Sequence, residues 1–122
     1  MTFADWARTV KYVLHQSESD VVGRVFQALA DDTRRLIIER LVRGPAAVTT
    51  LAEPLAMSLS AVMQHLQVLE KAGLIVTEKV GRVRNCRIEP ETLRQAERWL
   101  SVQRTDWELR LDQLDNYLKG SN

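Results

Sequence analysis

The chain has 122 residues, 45% of them hydrophobic and 27% charged, the make-up of one folded domain and not of a disordered segment. Lys and Arg number 17 against 16 Asp and Glu, a net charge of +1, which excludes nucleic-acid binding by bulk charge but not by a local basic patch. A single cysteine can form neither an intramolecular disulfide nor a thiolate zinc site. The longest uncharged run, residues 54–69, is too short to span a bilayer. Asp5, Arg8 and Lys11 interrupt the stretch where a signal peptide is apolar. A cytoplasmic protein with no membrane partner is the expectation.

Apolar residues recur at helical spacing through most of the chain. Phe3, Trp6, Val10 and Val13 form a first stripe that lapses in the polar run 16–20, and Val22, Val25, Phe26 and Leu29 form a second. Asp31 reads as the N-cap of a helix over 33–42, which Gly44 and Pro45 close. A short helix is expected over 50–56, with Thr50 and Glu53 as a capping box, Thr49 as a competing cap and Pro54 early in the helix. Met57 is the turn. Ser58 caps the next helix, which carries Val62, Leu66 and Leu69 as its buried stripe and runs to Ala72, with Gly73 at C′.

The period then changes from 3.6 to 2. Residues 74–80 and 83–88 read as strands joined at Gly81-Arg82. After Pro90 one helix continues to Lys119, about 29 residues or roughly 43 Å at 1.5 Å per residue. The order predicts a mainly α chain with a two-stranded β-wing, a winged helix–turn–helix with long terminal helices. It divides into a helical extension (1–19), the winged domain (20–90) and a C-terminal helix (91–122).

Outside its apolar stripe, the helix over 58–72 presents Ser60, Ala61, Gln64, His65 and Gln67, with no acid before Glu70. A solvated helix face normally mixes Glu with Lys. A helix entering the major groove excludes carboxylates, and there Gln64 can bond adenine in a bidentate fashion while Ser60 or His65 reaches a base edge or phosphate. The plainer alternative is a surface face that lacks acids. The wing carries Lys79, Arg82, Arg84 and Arg87 with no acid among them. Such a tip suits a narrow minor groove, or else is a charged edge that discourages aggregation.

His15 and His65 fall in different helices, and no metal-ligand spacing occurs, so no metal site and no cofactor is expected. Cys86 alternates in phase with Ile88 and reads as a small hydrophobe, the alternative being a thiol activated by Arg84 and Arg87. No catalytic triad, phosphate loop or dinucleotide turn is present, which argues against an enzyme. Leu93, Leu100, Trp107 and Leu114 repeat at seven-residue spacing, joined by Leu111 and Leu118, while Trp99, Val102 and Leu109 occupy another face. A helix apolar on two faces has more surface than its own domain covers. With Phe3, Trp6 and Val10 it predicts a homodimer, or alternatively packing of the two terminal helices within one chain.

The segments FQALADDTRRLIIERL (26–41), LAEPLAMSLSAVMQHLQVLEKAGLI (51–75) and GRVRNCRIEPETL (81–93) resemble the ArsR family of bacterial winged-helix transcriptional repressors. The resemblance implies a homodimer paired through its terminal helices that binds double-stranded operator DNA, a palindrome, and represses its own or a neighbouring operon. It implies DNA-facing roles for Ser58, Ser60, Ala61, Gln64 and His65 and wing contacts from Arg82 and Arg84. Metal-sensing members carry cysteines in the helix before the recognition helix, or Asp and His pairs in the last helix. Residues 49–56 have no cysteine and residues 91–119 no histidine, and the ending WLSVQRTDWELRLDQLDNYL (99–118) is similar to a metal-independent branch. No effector is indicated. The competing function is a protein-interaction module.

Overall fold

The computed structural model describes residues 2–120, and the side chains of all of these except residues 11–18. Eight elements follow in order: α1 (Phe3–Leu29), α2 (Asp32–Leu41), β1 (Ala46–Ala47), α3 (Val48–Ala52), α4 (Leu59–Lys71), β2 (Ile75–Val80), β3 (Val83–Ile88) and α5 (Pro90–Gly120). This is the expected winged helix–turn–helix, helical apart from one small sheet. No helix among the described residues is long and apolar enough to cross a membrane.

The core takes Val25 from the second apolar stripe and all three residues of the Val62–Leu66–Leu69 stripe. Val25 and Ala28 of α1, Ile37 and Leu41 of α2, Leu51 of α3, Val62, Leu66 and Leu69 of α4, Leu74 just before β2, and Ile75 and Cys86 of the sheet form one buried cluster, to which α5 adds Ala96. Phe26 meets Trp99 edge-on at 5.9 Å between ring centroids, which seats α5 on α1. Such aromatic pairs add to the energy of simple area burial.

Local chemistry sets the ends of the helices. The Asp31 carboxylate accepts from the Arg34 backbone N–H at 3.0 Å and starts α2. The Ser58 hydroxyl accepts from the Ala61 N–H at 3.1 Å and starts α4. Gly73, at φ 78°, ends α4 in the left-handed conformation that suits glycine, and a Cβ there would meet Thr92 Oγ1 at 3.2 Å. Gly81, at φ 64°, makes the turn between β2 and β3, whose register pairs Val80 with Val83.

Three expectations change. The two N-terminal stripes lie on one continuous helix, because the run 16–20 holds neither Gly nor Pro and a lapse in apolar periodicity does not itself break a helix. The short helix begins at Val48 with Ala47 as a cap that makes no side-chain hydrogen bond, so the Thr50–Glu53 box is not used and Pro54 lies beyond the helix. The reason is β1, two residues that pair antiparallel with β3 (Ala46 with Cys86) and deliver the chain straight into α3. The sheet is therefore three-stranded, in the order β1-β3-β2. No apolar alternation marks a two-residue strand.

The tie between α1 and α2 is likewise invisible to periodicity. Arg34 donates from Nε to the Ala28 carbonyl at 2.6 Å and from Nη2 to that of Gln27 at 3.2 Å. Arg35 donates to the Leu29 carbonyl at 2.7 Å and also bonds Asp32. Two arginines of α2 thus bond carbonyls of the last turn of α1, of which that of Gln27 also accepts from the Ala30 N–H.

Candidate nucleic-acid interface

Helix α4 turns three faces to three surroundings. Val62, Leu66 and Leu69 point into the core. Opposite them Ser60, Gln64, Gln67 and Lys71 are exposed in one row, since residues three, four and seven apart share a helix face. Ser58 is exposed at the N-terminal end of the row, and Ala61 is half-buried beside it. The row carries hydroxyl, amide and ammonium groups and no carboxylate. Gln67, which the sequence reading already places on this face, and Lys71 carry the row two turns beyond Gln64, and the same spacing could have found Lys71.

His65 lies on the flank towards α2. The ring is half-buried, with Nδ1 3.7 Å from Asp31 Oδ2 and 3.4 Å from Arg34 Nη1. The sequence reading puts it on the DNA-facing side; in the structure its ring contacts link this flank of α4 to the start of α2. Asp31 is held below the usual carboxylate range, chiefly by the backbone N–H of Arg34 and then by the charges of His65 and Arg34.

On the other flank Thr77 donates to Glu70 Oε1 at 3.0 Å and accepts from Arg84 Nη1 at 3.1 Å. The chain Arg84–Thr77–Glu70 ties the first acid of α4 to the sheet. Arg82, at the tip of the hairpin, is exposed, and among the described residues no side-chain bond or ion pair holds its guanidinium. Of the two expected wing contacts, Arg82 is free to meet a ligand and Arg84 is partly committed.

Cys86 is fully buried, and burial pushes its thiol up from the ordinary range, with Glu70 adding to the effect and Arg84 opposing it. It packs as a small hydrophobe. A thiol-exchange reagent is expected to leave the folded protein untouched and to titrate one thiol per chain in denaturant; immediate labelling of the native chain would contradict this. Because the folded value lies above the unfolded one, the neutral thiol's contribution is complete below about pH 8.5 and lost as pH rises through the folded value. The His15 side chain lies outside the described residues. Among the described residues no three His, Cys, Asp or Glu side chains cluster as a metal site would require.

The residues expected to pair two chains stand outside the core. Phe3 stacks on Trp6 at 6.1 Å, both exposed, with Val10 half-buried further along α1. In α5 the last buried residue is Ala96, and every residue from Val102 to Gly120 is exposed. Leu100, Trp107, Leu111, Leu114 and Leu118 all belong to this uncovered surface, Trp107 at 62% exposure. A single chain therefore packs α5 on α1 at Trp99 and leaves the heptad face beyond Ala96 exposed. The polar side of the helix is laced with pairs at i, i+4, such as Arg110 with Asp106 and Lys119 with Asp115. At its start Glu91 is held low by hydrogen bonds from Arg98 and Arg94.

Residues 29–78 match the family described as "Helix-turn-helix domain". The chain is 49% identical over 70 residues to the HTH-type transcriptional regulator Rv2034 of Mycobacterium tuberculosis, a match covering 57% of this chain and 65% of that protein, slightly under two thirds of its length. A crystal structure of an ArsR family transcriptional regulator superposes with a TM-score of 0.71 at 48% identity, covering 74% of this chain and 93% of that one. The homodimeric winged helix–turn–helix DNA-binding domain Mb0332 of Mycobacterium bovis, a possible ArsR-family regulator, superposes with a TM-score of 0.62 at 28% identity, covering 77% and 88%. The family match extends over α2, the helix–turn–helix and the start of β2, and so takes in the α4 part of the site described above. The chain belongs to the ArsR family of winged helix–turn–helix transcriptional regulators.

Proposed function

We propose that the chain acts as a homodimeric repressor of its own or a neighbouring operon, reading a palindromic double-stranded operator with α4 and gripping the backbone with its wing. The observation that carries this reading is the exposed, carboxylate-free row Ser60–Gln64–Gln67–Lys71 beside the free guanidinium of Arg82. In the reading, Ser58, Ser60 and Ala61 lie where the N-terminus of α4 approaches phosphate and base edges, and Gln64 bonds a base. His65 positions the helix through Asp31. Arg82 enters the minor groove, with Arg84 behind it. A second chain is the partner for the apolar faces of α1 and α5, a reading supported by the homodimeric state of the similar Mb0332 domain.

A gel shift titrated with salt, on the DNA upstream of the chain's own coding region, tests the reading. Arg82→Ala with Arg84→Ala is expected to weaken binding on all sequences and to lower the slope of log K against log salt by about one unit for each phosphate no longer neutralised. An unchanged slope would remove the wing from the interface. No binding at any salt would favour a protein-interaction module.

The signal in this reading is not a metal. Residues 49–56 carry no cysteine, residues 91–119 no histidine, and Cys86 is sealed in the core. Operator affinity is expected to be the same with zinc, cadmium, arsenite or a chelator. A tight stoichiometric metal with His15 or Cys86 among its ligands would contradict it.

A further inference from the structure

Leu59 occupies the first turn of α4 and is 52% exposed, an apolar side chain where the helix otherwise offers hydroxyl and amide groups. It points to the wing side, with Met63 one turn further along the same flank. Between this flank and the start of β3 lies a cleft of about 250 Å³. Val48, Leu59, Met63 and Val83 give it apolar walls, Arg82 and Arg84 contribute cationic ones, and no carboxylate lines it. Val83, across from Leu59, is itself 48% exposed.

The surroundings limit what such a cleft can receive. Its apolar lining adjoins the row that carries Gln64, and its charged lining is the wing. Among base edges in the major groove, the apolar feature is the 5-methyl group of thymine, and aliphatic side chains recognise it by contact. We propose that Leu59, backed by Met63, reads a thymine through its 5-methyl group and so sets the preferred base on the wing side of the position read by Gln64. The proposal rests on α4 being the DNA-reading helix. It adds a carbon contact to what the polar row can supply, because hydrogen bonds from Ser60 and Gln64 do not detect a methyl group.

The probe is a duplex enriched by the full-length chain from a random-sequence pool, remade with each thymidine replaced singly by deoxyuridine. That replacement deletes the methyl group and leaves every hydrogen-bonding edge intact. At one thymidine in each half-site, the wild-type affinity is expected to fall about fourfold, the worth of one buried carbon group. Leu59→Ala is expected to bind the two duplexes equally, and Leu59→Met to restore the difference. The side chain lies outside the buried cluster, so these variants should keep the wild-type circular dichroism.

Indifference of the wild type to every deoxyuridine, while it still prefers the enriched duplex to a scrambled one, would overturn the thymine contact and leave the DNA reading standing. So would a Leu59→Ala variant that discriminates as the wild type does. A chain that enriches no sequence would overturn both.

Discussion

Leu114→Glu is expected to shift the protein to a monomer and abolish operator binding while leaving the winged helix folded. Leu114 is 54% exposed in the single chain and lies well beyond Ala96, the last buried residue of α5. A carboxylate there meets solvent in the monomer and costs its core nothing. In the proposed homodimer the same position sits in an apolar interface with Trp107 and Leu111. Burying one such side chain stabilises by about 1.5–3 kcal/mol, and a two-fold interface loses that twice while gaining two charges to desolvate.

The loss reaches DNA through geometry. One α4 helix reads only a few base pairs, whereas two helices related by a two-fold axis can read half-sites about 34–36 Å apart, one turn of the duplex. Joining the two events raises the apparent affinity without a new contact. Sedimentation, circular dichroism and a gel shift on the variant check each link. A monomer that binds a full palindrome undiminished would remove the dimer from the account, and a variant that unfolds would place Leu114 in the monomer core.

How much of this is legible in the sequence depends on how local the cause is. The cap at Asp31, the cap at Ser58 and the stop at Gly73 are each set by one residue's chemistry, and each stands where the sequence reading puts it. The stripe Val62–Leu66–Leu69 and the hairpin about Gly81 follow from period alone. What periodicity misses is non-local. The strand at Ala46–Ala47 exists because β3 offers it a partner, and that pairing moves the start of α3 to Val48. The polar run 16–20 reads as a boundary only while apolar spacing alone is followed.

The site shows the same division. Periodicity places Ser60, Gln64 and Gln67 on the outer face of α4, and it adds Lys71 once the row is followed to its end. It cannot show that the His65 ring turns to Asp31, a residue 34 positions away in the chain, or that Thr77 links Arg84 to Glu70. Those contacts depend on how α2 and the sheet pack against α4. The Leu59 cleft depends on the same packing, since β3 supplies part of its wall.

The central claim, that the outer face of α4 reads base sequence, turns on Gln64. Its amide is exposed in the middle of the carboxylate-free row and can make a bidentate bond to adenine. Gln64→Ala removes that bond and touches nothing in the core. The most direct measurement is the affinity of wild type and Gln64→Ala for the enriched operator and for a random duplex of equal length, at one salt concentration. A loss of about 1–3 kcal/mol on the operator and little on random DNA is expected, so that specificity falls while the electrostatic grip remains. Equal losses on the two duplexes, or none on either, would contradict it.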